Sequence, residues 1–391
     1  MKELKLNKNR FMKYPGNIIF RLMFLFSAII ITFTGCKEQQ PVRRTIVSPE
    51  IHQDKSITFR YLAPGAEKVE LSAEFLSENL LMTKDEDGLW TTTTGPVTPD
   101  IYPYFFIVDG IQVHDPNNTY LFPNERFKRS VIEIPGDPPL LSEIQEVPHG
   151  NVTYRYYKSQ SLDLIRPVLV YTPPDYGKNP ETRYPVLYLI HGMTDTEETW
   201  FKVGRVNVIL DNMIAQGLAE PMIIVMPYAN PLPALLEKNE EVDMNVLSTD
   251  YFTDDLINDV LPFTENNYSV YTDAGNRAIA GFSLGGRQTL AAGLGNPDKF
   301  AWVCAFSPAI FSNELENNFK NLYASPASLN SKLKLLWVSC GKDDGLYDAS
   351  VEFTSLLEEK GIRHRTFFSE GGHTWMNCRL YLSEIAKLIF N

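Results

Sequence analysis

Ala280-Gly281-Phe282-Ser283-Leu284-Gly285-Gly286 sets a serine two residues after one glycine and two before another, behind the β-prone run 277–280 and ahead of a helical stretch. That spacing decides the fold. A strand that bends sharply into a helix crowds any side chain two positions before and two after the bend, so small residues are required there. The segment reads as a G-x-S-x-G elbow that lifts Ser283 onto the end of a strand.

Working outward, short apolar runs at 186–190, 222–226, 301–306, 335–339 and 365–368 alternate with helical periods. Val206, Ile209, Leu210, Met213 and Ile214 mark a helix face ended by Gly217. Ala349, Phe353, Leu356 and Leu357 mark another, capped at Gly361, and Cys378, Leu382, Ile385 and Ile389 a third. Strands alternating with helices predict an α/β domain over residues 146–391, with a mostly parallel central sheet covered on both faces.

A serine hydroxyl is inert near neutral pH and needs a base within hydrogen-bond reach, itself held in one tautomer. The chain has 6 histidines. His52 and His114 fall in the N-terminal half, His149 in a linker and His364 at the start of a strand, whereas His373 follows the last strand in Gly371-Gly372-His373-Thr374-Trp375. His373 is therefore the expected base. The orienting acid should follow the preceding strand, where Gly341-Lys342-Asp343-Asp344-Gly345 offers two adjacent carboxylates that strand parity alone does not separate. Backbone N–H donors for an oxyanion are expected at Leu284, the residue after the nucleophile, and at Met193, in the loop after strand 186–190. His191 is expected to be structural. Trp200 and Trp375 lie close in sequence to this machinery; packing is the common use of such side chains, and stacking on an aromatic acyl group is the functional one.

The rest of the chain bounds the reading. Of 391 residues, 44% are hydrophobic and 21% charged, which suits a folded protein of two units, and a net charge of −12 argues against nucleic acid as a partner. Lys2, Lys5, Lys8, Arg10, Lys13 and Arg21 precede the apolar run 22–31. Phe33-Thr34-Gly35-Cys36 after it resembles the lipobox of bacterial lipoproteins. Residues 1–36 are thus expected to be a lipoprotein signal peptide, with Cys36 lipidated, 37–48 a tether, and the protein exported to the periplasm, outer membrane or cell surface through a membrane anchor. Cys304, Cys340 and Cys378 cannot all pair; Cys304 and Cys340, near the ends of neighbouring strands, are the candidate disulfide, and free buried thiols the commoner outcome.

Between residues 49 and 136, β-prone runs at 57–61, 69–71, 89–92 and 104–108 are separated by Pro64-Gly65, Asp87-Gly88 and Asp109-Gly110. They predict a small immunoglobulin-like β-sandwich with Trp90 in its core, followed by a Pro-rich linker at 137–145. The run from Phe59 through Ala63-Pro64-Gly65, with 82–90, Val108-Asp109-Gly110 and Asp115-Pro116, resembles the family 48 carbohydrate-binding modules that precede many secreted esterases. Such a domain implies glycan binding and is a poor place to look for the chemistry.

Tyr188-Leu189-Ile190-His191-Gly192, Trp200, 222–227, 281–286, 341–344 and 371–375 together resemble carbohydrate esterase family 1, the group of feruloyl, acetyl xylan, esterase D type and enterochelin-esterase-like enzymes. The resemblance covers nearly all of residues 145–391 and implies an α/β-hydrolase. It favours Asp344 over Asp343 as the acid, completing Ser283, Asp344 and His373. It further implies a serine esterase, most nearly a feruloyl esterase, acting without cofactor on feruloylated or acetylated oligo- and polysaccharides; acetyl xylan or enterochelin-type ester cleavage are the alternatives. No H-E-x-x-H pattern supports a metal-dependent deacetylase. The non-enzymatic alternative is a surface glycan-binding lipoprotein that keeps the fold as a scaffold.

Overall fold

A computed structural model describes residues 45–231, 250–310 and 325–391. The expected leader, Cys36 and most of the tether lie outside the described residues, as do 232–249 and 311–324. Among the described residues, no helix is long and apolar enough to cross a membrane. Residues Ile46–Asn391 form one compact unit.

Its first part is a β-sandwich. One antiparallel sheet joins Glu50–Ile51, Ile57–Leu62, Leu89–Thr93 and Thr83–Lys84; the other joins Leu80–Leu81, Val69–Ala73, Asp100–Val108 and Ile111–Val113, with Ser130–Ile134 paired to Asp100–Val108. Val69–Ala73 alternates buried and half-buried residues, as a strand with one face on a core must. Phe59, Leu71, Trp90, Tyr104 and Phe106 fill the space between the sheets. Trp90 is inside, and its indole N–H donates to Ala63 O at 3.0 Å. Asp109 and Gly110 both take positive φ, the two-residue turn that matches strand twist in a tight hairpin.

The second part is built on an 8-stranded sheet. Numbering its strands in chain order, β1 is Asn151–Ser159, β2 Leu164–Thr172, β3 Val186–Ile190, β4 Ile223–Pro227, β5 Arg277–Phe282, β6 Trp302–Phe306, β7 Leu335–Gly341 and β8 Arg365–Ser369. Their order is β1-β2-β4-β3-β5-β6-β7-β8, antiparallel among β1, β2 and β4 and parallel from β4 onward. The β1–β2 hairpin extends the sheet beyond the strands expected from sequence. Strands β3 to β7 are buried along their whole length because helices cover both faces, which is why they read as unbroken apolar runs.

On one face lie helices α1 (Val206–Ala215) and, at the C-terminus, Trp375–Ala386, with Leu210, Met213, Tyr381 and Ile385 against the sheet. On the other lie the helical run 250–267, Leu284–Gly295 and Tyr347–Glu359, contributing Leu256, Leu290, Phe353 and Leu357. Within 250–267 the turn Leu256–Val260 widens to a π-helix. Pro262 follows at the start of Leu261–Asn267, and a proline inside a helix removes one donor and crowds the carbonyl four residues back, which a wider turn relieves.

Cys304 pairs in register with Trp337, so Cys340 sits three residues farther along β7, about 10 Å away, beyond disulfide reach. Cys304, Cys340 and Cys378 are free buried thiols. Burial pushes the Cys340 thiol up to about 11.

The sandwich and the sheet share one core. Ile101 and Val131 from the sandwich lie in the same buried cluster as Trp200 and Tyr381. Arg379 of the last helix, almost completely buried, donates to Asp100 Oδ1 at 2.5 Å, Ile101 O at 2.9 Å and Val203 O at 2.8 Å.

Candidate active site

The strand β5 delivers Ser283 at the centre of the sheet's C-terminal edge. The serine takes φ 59° and ψ −117°, a strained pair for a non-glycine residue, and it opens the helix Leu284–Gly295. Three backbone bonds hold the strain: Ser283 N–H donates to Phe306 O at 2.9 Å, and Ser283 O accepts from Arg287 N–H at 3.1 Å and Ala309 N–H at 2.9 Å. The flanking glycines are required by space. A Cβ on Gly281 would stand 2.3 Å from Gly285 O, and one on Gly285 would stand 2.4 Å from His191 O.

His373 lies in the loop after β8, just ahead of the last helix. Phe282, the residue before the serine, stacks on its imidazole with centroids 4.4 Å apart, which seats the ring beside the elbow. Its Nδ1–H donates to Asp344 Oδ2 at 2.7 Å, and the His373 side chain remains 36% exposed while Asp344's is only 1% exposed. Burial opposes the Asp344 charge, but hydrogen bonds from His373 and from Leu346 N–H, the latter at 2.9 Å, outweigh it and hold the carboxyl below the usual carboxylate range. Its neighbour Asp343 is exposed and uses its backbone N–H to hold Gly371 O at 3.0 Å. The structure thus pairs His373 with Asp344, seats the imidazole against Phe282, the residue before Ser283, and leaves Asp343 exposed.

Between the serine and the loop after β3 the approach is close. A Cβ on Gly192 would lie 3.5 Å from Ser283 Cβ and 3.3 Å from Asp195 Oδ2. Of the two expected donor positions, Met193 is next in the chain to Gly192 and Leu284 opens the helix that follows the serine. A helix N-terminus adds a favourable partial positive charge at that point.

His191 is structural. It is buried, Ala229 N–H donates to its Nε2 at 2.8 Å, and its Nδ1–H lies 2.8 Å from Gly192 O. Burial pulls its imidazole down to about 4, so it stays neutral and pins the loop after β4.

The indole rings take the packing role and not the substrate-stacking one given for them as the alternative. Trp200 is 1% exposed, donates from Nε1 to Ile190 O at 3.0 Å, and packs edge-on to Trp375 at 4.8 Å. Trp375, 5% exposed, also meets Phe282 and Phe122. Neither is available to stack on a substrate; both are floor beams beneath the site, because the sequence positions near the loops fold inward onto the shared core. What sequence reasoning missed is Asp195 and the sandwich residues that reach it. Asp195 is buried, accepts from Asn124 Nδ2 at 3.0 Å, and burial pushes its carboxyl up to about 7. A buried carboxyl in a loop rich in Thr and Glu carries no periodic signal.

Comparison with known proteins agrees with this geometry. The model of the Esterase family matches residues 159–387. An endo-1,4-beta-xylanase/feruloyl esterase of Xylanibacter ruminicola is 30% identical over 352 residues, covering 88% of this chain and 46% of the relative, so the chain spans about half the length of that protein. A solved ferulic acid esterase is 26% identical with a TM-score of 0.53, covering 62% of this chain and 98% of its own. The enterobactin esterase of Shigella flexneri is 16% identical but has a TM-score of 0.61 and covers 86% of this chain and 93% of its own, a likeness of fold that takes in more than the α/β domain.

Proposed function

The chain belongs to the Esterase family, and from that premise we propose that it is a serine carboxylic-ester hydrolase acting on feruloyl side chains of plant polysaccharides. One observation carries the reading: an imidazole bonded to a buried carboxylate at 2.7 Å stacks on Phe282, whose chain neighbour Ser283 is held at positive φ in the elbow that ends a central strand. In this reading Ser283 Oγ attacks the ester carbonyl while His373 Nε2 takes its proton. The oxyanion is received by the N–H groups of Leu284 and Met193, each donor contributing about 3 to 4 kcal/mol to the transition state. His373 then returns the proton to the leaving sugar hydroxyl, and a water activated by the same imidazole releases the acid. Asp344 fixes the tautomer and balances the imidazolium charge.

The feruloyl assignment is supported by the feruloyl esterase part of the xylanase relative's name and by the ferulic acid esterase of similar fold. We propose further that Cys36 is lipidated and anchors the exported protein to a membrane, on the strength of the basic and apolar run ahead of Phe33-Thr34-Gly35-Cys36. The test of the catalytic reading is turnover of methyl ferulate and p-nitrophenyl acetate by the wild type and by Ser283→Ala. Loss of both activities in the variant is expected; an active variant overturns the assigned nucleophile.

A further inference from the structure

We propose that Asn124, in the loop that leaves the N-terminal sandwich and returns to it, is a positioning residue for the Met193 oxyanion donor, so that the sandwich completes the active site. The inference rests on the ester-hydrolase reading above. Between Ile111–Val113 and Ser130–Ile134 the chain crosses to the loop after β3. There Asn124 forms an isolated antiparallel bridge with Asp195. Glu125 N–H donates to Thr194 O at 2.7 Å, and Thr199 Oγ1 donates to Pro123 O at 2.8 Å, so the two backbones are fastened on both sides of the asparagine.

The asparagine's orientation is fixed by its own loop. Its Oδ1 accepts from Arg126 N–H at 2.9 Å and Phe127 N–H at 3.0 Å, which turns Nδ2 toward Asp195 Oδ1 and Thr194 Oγ1, each at 3.0 Å. Thr194 is β-branched and sits at φ 66°, a strained conformation that persists only where surrounding contacts hold it. Met193 lies between that residue and Gly192, whose missing Cβ is flanked by the Asp195 carboxyl and by Ser283. The direction of the Met193 N–H is therefore set by a strained turn, and the clamp on the turn comes from the other half of the molecule. Removing the amide leaves the buried Asp195 oxygen without its donor and lets the turn relax. A donor displaced by a fraction of an ångström affects the transition state far more than substrate binding.

The test uses full-length protein and p-nitrophenyl acetate, a substrate too small to depend on the sandwich surface. Asn124→Ala, Asp195→Ala and their double variant are compared with Asn124→Ser, whose hydroxyl can accept from the loop's turn but whose shorter side chain puts no group in the place of Nδ2, and with Asp195→Asn, which keeps the acceptor. Both alanine variants and Asn124→Ser should lose roughly 10- to 100-fold in kcat with KM within about twofold. Inhibition by phenylboronic acid, which mimics the tetrahedral adduct, should weaken in parallel, the double variant should fall no further than the worse single one, and Asp195→Asn should recover most of the rate. Folded variants with kcat within about twofold of wild type, losses that multiply in the double variant, or a change confined to KM would each overturn the proposal. If the alanine variants do not fold, Asn124→Ser decides alone. Ser283→Ala is run alongside: a wild type without Ser283-dependent turnover sinks the hydrolase reading and this inference with it, whereas normal Asn124 variants beside a dead Ser283→Ala sink the inference alone.

Discussion

His191 offers a measurement in which protonation and folding are tied together. Its imidazole is buried, accepts the Ala229 N–H at 2.8 Å, and is held down at about 4, against about 6.5 for a histidine in water. Below pH 6.5 the unfolded chain takes a proton at this position that the folded chain refuses until pH approaches 4. The unfolded state therefore binds more protons in that window, and stability falls as pH falls through it; above 6.5 the contribution is complete and flat. Each pH unit is worth about 1.4 kcal/mol, so the full window amounts to about 3 kcal/mol. Asp195 works in the opposite sense, since a carboxyl held up at about 7 favours the folded state as pH drops, and the wild-type profile alone mixes the two. The comparison with His191→Gln separates them, because glutamine can accept the Ala229 N–H and does not titrate. Urea denaturation of both proteins between pH 8 and 4.5 should show a gap that is constant above pH 6.5 and shifts in favour of the variant by about 2 to 3 kcal/mol at the acid end. A gap constant to within about 0.5 kcal/mol over the whole range would refute the reasoning.

Three further outcomes are expected. Asp344→Asn should lower kcat for p-nitrophenyl acetate by roughly 10²- to 10⁴-fold, whereas Asp343→Asn stays within about threefold; the reverse order would reassign the acid. Trp200→Ala should reduce stability by about 3 to 5 kcal/mol in thermal or urea unfolding, while the milder Trp200→Phe leaves KM for methyl ferulate unchanged, since the indole faces the core. Gly285→Ala, whose Cβ would meet His191 O at 2.4 Å, should yield protein without Ser283-dependent turnover or no soluble protein at all, and a fully active variant would mean that the elbow yields more readily than its packing implies.

The parts that were legible in the sequence are those written locally. Strands β3 to β7 lie between covering helices, so their apolar runs and the glycines of the elbow declare themselves. His373 was reachable because chain order and loop position constrain it, whereas position led only to the pair Asp343 and Asp344 and the family resemblance chose between them. The β1–β2 hairpin was not, since β1 lies at the sheet edge with Tyr154 and Tyr156 exposed, and its residues carry no clean hydrophobic period. The indoles of Trp200 and Trp375 show the same limit from the other side: proximity to catalytic positions in sequence says nothing about which way a side chain turns, and the shared core claimed both. The Asn124 to Asp195 contact spans 71 residues and joins two separately patterned segments, so no window of sequence contains it.

Arg379 meets Asp100 across a separation of 279 residues, and a buried guanidinium left without its carboxylate is strongly unfavourable. During synthesis the sandwich therefore emerges long before the helix it must dock against. Until the later segments that share their cluster are made, Ile101 and Val131 of the earlier-made half have no complete cover, a stage at which apolar surface invites aggregation and holdase chaperones have something to grip. Maturation is in this sense retrograde: a later-made helix seats an earlier-made domain.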